Sequence, residues 1–174
     1  MSTFAERVVG AARLKVEIYE EVEADRRATR QALGVVVLSS LAGGIGLAGG
    51  QGPGLLVGIV SALLGWVIWA TLTYFLGTKV FAEPQTRSDV GELLRTTGFA
   101  AAPGLLRVFG LIPGLDVLIP VAASVWMLVA MVIAVRQALD FTTTWRAVAV
   151  CVAGWIVTLV MIVVISRAMS LVVQ

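Results

Sequence analysis

The stretch from Phe99 to Leu139, FAAAPGLLRVFGLIPGLDVLIPVAASVWMLVAMVIAVRQAL, constrains the fold of this chain most. It holds Pro103, Pro113 and Pro120, a single arginine among apolar residues (Arg107), and a run without charge from Val117 to Val135. A helix that crosses a bilayer needs about 20 apolar residues. Prolines in such a stretch mark where a crossing is broken or turned, because backbone groups they free must be satisfied inside the protein. Composition agrees: 14% of the 174 residues are charged and 59% are hydrophobic, at a mean hydropathy of +0.95. Soluble domains carry about 25% charged residues. The chain therefore reads as an integral membrane protein, with length for one helical bundle.

Apolar segments fall at about 32–48, 55–77, 97–114, 117–135 and 147–166, within one transmembrane domain over 32–174. The expected fold is an all-α integral membrane protein, a five-span helical bundle with a cytoplasmic amphipathic N-terminal helix over 1–31. In that N-terminal segment Phe4, Val8 and Ala12, then Leu14, Ile18 and Val22, recur every four residues among charged neighbours, which is helical spacing. Leu14, Ile18 and Val22 form the candidate partner surface. No secretory leader is expected, since the first apolar run begins only near Ala32, after a charged segment.

The third segment is short for a crossing, and a re-entrant loop with four true spans is its rival. Counting cations does not separate the two. Five spans leave only Arg107 and Arg167 outside, and four spans leave only Arg136 and Arg146 outside. Both keep the N-terminus in the cytoplasm by the positive-inside rule. Thr86–Asp89 resembles a capping box, and Asp116 and Thr142–Thr144 are placed to cap the fourth and fifth spans. Trp145 with Arg146 sits where an interface anchor belongs.

Small residues every four positions let helices approach closely. Ala42, Gly46 and Gly50 in the first span and Gly54, Gly58 and Ala62 in the second follow that pattern. They are the candidate packing seam of an antiparallel pair, with a homodimer interface as the alternative use.

Arg107 is the residue with the sharpest chemistry. A cation at the centre of a span costs about 2.5–3.5 kcal/mol on insertion scales. Arg107 with Asp116 is the candidate anionic lipid or ligand site; the alternative is a side chain that snorkels or bonds carbonyls freed by the prolines. Trp66, Trp69, Trp126 and Trp155 lie within spans and form a candidate apolar groove, with plain packing as the alternative. Histidine is absent and Cys151 is the single cysteine, so no metal, cofactor or catalytic constellation is expected. The serines and threonines in spans lack a histidine partner, and the expectation is that the chain is not an enzyme. A net charge of +2 gives no reason to expect nucleic acid. The expected partners are membrane lipids and one or more membrane proteins of unstated identity.

Three stretches carry a family resemblance: YEEVEADRRATRQALGVVVLSSLAGGIG from Tyr19, AAPGLLRVFGLIPG from Ala101, and the run from Val125 to Val150. They resemble the Yip domain family, the Ypt/Rab-interacting membrane proteins, in its bacterial branch. The resemblance implies five spans, a cytoplasmic N-terminus and a C-terminus on the far side, in a bacterial cytoplasmic membrane. The D-L-Y-G-P motif of the eukaryotic branch is missing, the nearest tyrosine reading Glu17-Ile18-Tyr19-Glu20, so GTPase binding is not carried over. The function expected is a scaffold or organiser of membrane proteins or lipids. An accessory subunit of a larger complex, and a lipid or small-molecule binder or transporter centred on Arg107, are the alternatives.

Overall fold

A computed structural model of the chain describes residues 1–48 and 54–172; at 47, 48, 165, 166 and 168–172 it describes the backbone only. The fold is all-helical, with 80% of residues in helix and no strand among the described residues.

Helix α1 (Phe4–Ala12) begins at a capping box. The Glu6 amide donates to Thr3 Oγ1 at 3.3 Å, and the Thr3 amide donates to Glu6 Oε2 at 2.7 Å. The chain then turns at Leu14, which adopts φ 60°, a left-handed conformation uncommon for a residue with a side chain. Helix α2 (Val16–Ala24) follows. The Arg27 amide donates to Asp25 Oδ1 at 2.9 Å and closes the turn into α3 (Ala28–Ala48). The single helix expected over 1–31 is therefore two short helices and the first turn of a third.

Among the described residues, four helices are long and apolar enough to cross a membrane: Ala28–Gly46, Gly54–Val80, Leu118–Ala138 and Thr144–Val164. They correspond to α3, α4 (Gly54–Phe75, continued by a π-helical turn over Leu76–Val80), α6 (Leu118–Ala138) and α7 (Thr144–Val172). The apolar window of α3 is 39% buried and that of α4 only 6%, so α3 is central and α4 peripheral. Asp116 does not cap α6; the N-cap is Val117, without a side-chain bond. Asp116 lies too far before the first free amides of the helix to reach them.

No span-length α-helix covers 97–114. Helix α5 (Val90–Phe99) starts at a capping box formed by Asp89 and Glu92, three residues later than the Thr86–Asp89 spacing suggests. It ends at Phe99 because Pro103 lacks an N–H and its ring would collide with the Phe99 carbonyl. The chain continues as a 3-10 helix over Ala102–Leu111, with proline in its first turn. A 3-10 helix rises about 2.0 Å per residue, so this segment adds about 20 Å to the roughly 15 Å of α5. The pair runs the length of the bundle. Arg95 touches the C-terminus of α2 at one end, and the Arg107 backbone lies against Gly46 of α3 at the other.

Polar loops 81–89 and 139–143 meet each other, and the end of α6 meets α2, at one end of the bundle, hereafter the charged end. All Lys and Arg except Arg107 and Arg167 belong to it. Residues 112–117 lie at the opposite end, with the C-terminus of α3. One core cluster joins Tyr19 and Val22 of α2 to Ala32 and Val35 of α3, Phe99 of α5 and Ala130 and Ala134 of α6. A second joins Ala70, Leu93, Val135, Leu139 and Val150. The outer face of α7, including Trp155, Ile156, Leu159 and Val163, is exposed and apolar, as a lipid-facing surface requires.

Candidate functional site

Polar chemistry is concentrated at the charged end, where two buried arginines tie the N-terminal helices to the bundle. Arg7 on α1 is 2% exposed. It donates to Glu21 Oε1 from Nη2 at 2.9 Å and from Nε at 3.2 Å, and to Gln31 Oε1 from Nη1 at 2.8 Å. Its Nη2 also pairs with Asp25 Oδ2 at 2.9 Å. One guanidinium thus joins α1, α2, the turn and α3. Glu21 further accepts from the Ser2 hydroxyl at 2.7 Å and the Ser2 amide at 2.8 Å. These bonds, with Arg7, hold its carboxyl down at about 2. Asp25 is also held low, by the Arg27 amide and then Arg7.

Arg95 on α5 is 5% exposed and donates to the Val22 and Glu23 carbonyls at 3.1 and 2.9 Å from Nε. A second bond to the Glu23 carbonyl comes from Nη2 at 2.5 Å. A cation on the last carbonyls of a helix satisfies orphan acceptors and complements the helix dipole. Beside it opens an acidic recess of about 410 Å³ lined by Glu20, Glu23, Ala24, Glu92, Gln137 and Asp140. Gln137 donates to Glu20 Oε1 at 3.0 Å across the recess. Burial, then the like charges of Glu92 and Asp140, push the Glu23 carboxyl up to about 7, with Arg95 opposing.

A third clamp joins the two polar loops. Glu83 accepts from Arg146 Nε at 2.8 Å and from the Thr142 amide at 3.0 Å. Arg146 also donates to the Phe81 carbonyl at 3.1 Å. Arg146 is thus a loop clamp, and Trp145 beside it stays exposed. Arg136 closes the α6–α7 turn through the Phe141 and Thr142 carbonyls and Thr144 Oγ1.

The residues singled out in the sequence are placed differently from expectation at several points. Val22 is fully buried, and Leu14 and Ile18 pack against the same cluster. Their apolar face seats α2 on its own bundle and is not an outward partner surface. Ala42 is buried, and Gly46 does not pack on the second-span stripe: a Cβ on Gly46 would collide with the Arg107 carbonyl, so α3 receives the 3-10 segment there. Gly54 and Gly58 face open space, and α3 meets α4 through Gly44 and Leu55 instead. Gly50 lies outside the described residues.

Arg107 is partly exposed and donates from Nη2 to Ser124 Oγ of α6 at 3.2 Å. Asp116 is exposed and makes no ion pair with it, having stayed on the turn while Arg107 reaches across to α6. The four tryptophans do not form one groove. Trp66 donates to the Leu94 carbonyl at 3.2 Å, and the Trp69 ring packs against Gly154 of α7. Trp126 and Trp155 are exposed. Of the four, Trp155 alone lines the apolar groove of about 420 Å³ between α6 and α7, with Leu128, Met131, Cys151 and neighbours.

Sequence reasoning passed over Arg7, Glu23, Glu83 and Arg95. A signal existed for Arg95 only: it stands between Leu93, Leu94 and the uncharged run from Thr96, where a cation has to find carbonyls.

The Yip1 domain family profile matches residues 16–165. The chain belongs to the Yip1 domain family. No curated protein and no solved structure matches it. Within the Yip1 domain fall the acidic recess, Arg95, the Glu83–Arg146 clamp and Arg107. The match begins at Val16, the first residue of α2, so α1 and its Arg7 lie before it. Family and apolar helices together make this a multi-pass membrane protein.

Proposed function

We propose that this Yip1-domain protein is a non-enzymatic scaffold that organises membrane proteins or lipids. The observation that carries this reading is the construction of the charged end: α1 and α2 are fastened to the bundle by buried arginines and present an ordered surface. Phe4, Val9 and Val16 are 38%, 49% and 39% exposed on that surface. Arg13, Lys15 and Glu17 stand beside them. This outer face replaces Leu14, Ile18 and Val22 as the partner surface. The partner is a membrane protein or the membrane interface itself.

The charged end is cytoplasmic in this reading, in a bacterial cytoplasmic membrane, with α5 and the 3-10 segment as a fifth crossing. The cation distribution supports that orientation. The combined rise of α5 and the 3-10 segment, about 35 Å, supports the fifth crossing. A second reading, an accessory subunit of a larger membrane complex, is favoured by the apolar groove between α6 and α7, which has room for a neighbouring helix's side chains.

Gentle extraction from native membranes at natural abundance, read by native mass spectrometry, tests the proposal. A stoichiometric partner lost on Val9→Glu with Val16→Glu supports a scaffold acting through α1 and α2. A partner kept by that variant and lost on Trp155→Ala supports the subunit reading. A chain that carries no protein in either background sinks the subunit reading, and one that carries neither protein nor a defined lipid sinks both.

A further inference from the structure

Arg107 lies within the apolar length of the bundle, away from the charged end. Its partner Ser124 stands six residues into α6, about 9 Å from the start of that helix at 1.5 Å per residue. The full 21 residues of α6 measure about 31 Å, the thickness of a hydrocarbon core. The guanidinium therefore sits about a third of the way in from the end opposite the charged one. On its other side is Gly43 of α3, where an added Cβ would stand 3.7 Å from Nη1 and 3.6 Å from Cδ.

The surroundings are those of an unfinished anion site. Ion pairs among the described residues join Arg7 to Glu21 and Asp25, and Arg146 to Glu83, all at the charged end. Ser124 donates its own proton to the Pro120 carbonyl at 2.7 Å, which turns a hydroxyl lone pair toward Arg107. Arg107 Nε and Nη1 have no acceptor among the described residues. An arginine braced through one nitrogen, with the rest of its planar fork free, has the donor geometry that takes two oxygens of a phosphate. The nearest phosphates belong to lipid headgroups at the interface by the α6 N-terminus, toward which a long cationic side chain extends.

We infer that Arg107, braced by Ser124 and fitted against Gly43, binds the phosphodiester of a phospholipid in the leaflet opposite the charged end. The lipid headgroup lies between α3 and α6, and Arg107 supplies the charge-assisted bonds. Gly43 lines the space beside Nη1 and Cδ, where even an added Cβ would stand at ordinary contact distance. This site depends on the placement of α6 in the bilayer and on no protein partner. A wild-type chain that binds lipid but recruits no protein sinks the protein-scaffold reading and leaves this site standing.

The test uses the full chain, purified in mild detergent, stripped of lipid and titrated with phosphatidylglycerol under native mass spectrometry. Wild type should hold one lipid at least tenfold more tightly than Arg107→Gln, with Arg107→Lys between them because an ammonium lacks the fork. Ser124→Ala, which keeps the cation and removes only the brace, should weaken binding several-fold. It also serves as the second variant if Arg107→Gln does not fold. Inorganic phosphate at equal concentration should not displace the lipid. Equal lipid retention by wild type and the Arg107 or Ser124 variants would overturn the assignment. Displacement by inorganic phosphate would overturn the lipid as its source.

Discussion

Replacing Glu23 by glutamine should make the docking of α2 on the bundle insensitive to pH across neutrality. Glu23 lines the acidic recess with Glu20, Glu92 and Asp140, beside Gln137 and under Arg95. Its carboxyl is pushed from an ordinary 4.5 up to about 7 by burial and then by Glu92 and Asp140. A folded-state pKa raised on an acid means that the folded protein holds a proton which the undocked segment gives up. Stability therefore falls as pH rises from about 4.5 to 7, and the penalty is complete above that window. The full shift corresponds to about 3 kcal/mol at 1.36 kcal/mol per unit. Glu23 is partly exposed, and solvent screening reduces this to about 1–2 kcal/mol. Glu21, held down at about 2, acts in the opposite sense, and its contribution is lost only as pH falls below about 4.5. Between pH 5 and 8 the slope thus belongs to the recess. Hydrogen exchange of the α2 amides, corrected for intrinsic rates, reads the opening free energy. In wild type it should drop by about 1–2 kcal/mol from pH 5 to pH 8, and Glu23→Gln should abolish the drop. A wild-type opening energy that rises with pH, or a variant that keeps the slope, would refute the reasoning.

Arg95→Met should leave the Val22 and Glu23 carbonyls without their donor, at about 1–3 kcal/mol each; α1 and α2 should then lose hydrogen-exchange protection while α6 and α7 keep theirs. Gly46→Ala should be strongly destabilising, by about 2 kcal/mol or more, because its Cβ meets a backbone carbonyl that has nowhere to move. Gly58→Ala, which faces open space, should be neutral or stabilising by about 0.5–1 kcal/mol. Thermal unfolding of the two variants in one detergent makes the comparison.

The long helices were legible because an uncharged run of 20 residues has one economical structure in a bilayer. Pro103 was legible as a breaker. Its consequence was not, because the length argument assumes 1.5 Å per residue, and a 3-10 segment covers the same height with fewer residues. The four-residue spacing through Leu14, Ile18 and Val22 correctly marked an apolar face, but periodicity says nothing of whether that face meets a partner or its own chain. The series drops to a step of two between Ala12 and Leu14, where the left-handed backbone of Leu14 breaks the helix. The small residues carried the same ambiguity: Gly46 allows a close approach, and what approaches is Arg107, remote in sequence. Arg7, Glu23 and Glu83 were hidden for a simpler reason. In a charged segment each carboxylate and guanidinium looks alike until the fold chooses which pairs to bury.

We propose that the chain crosses the bilayer five times, the third time through α5 and the 3-10 helix, with its charged end in the cytoplasm. Single cysteines placed at Arg87 and at Asp116, both exposed, test it most directly in a Cys151→Ala background. With an impermeant thiol reagent on intact cells, Asp116→Cys should label at once and Arg87→Cys only after permeabilisation. Protection of both positions until the cells are opened would mean that the third segment turns back, and the five-crossing account would fall.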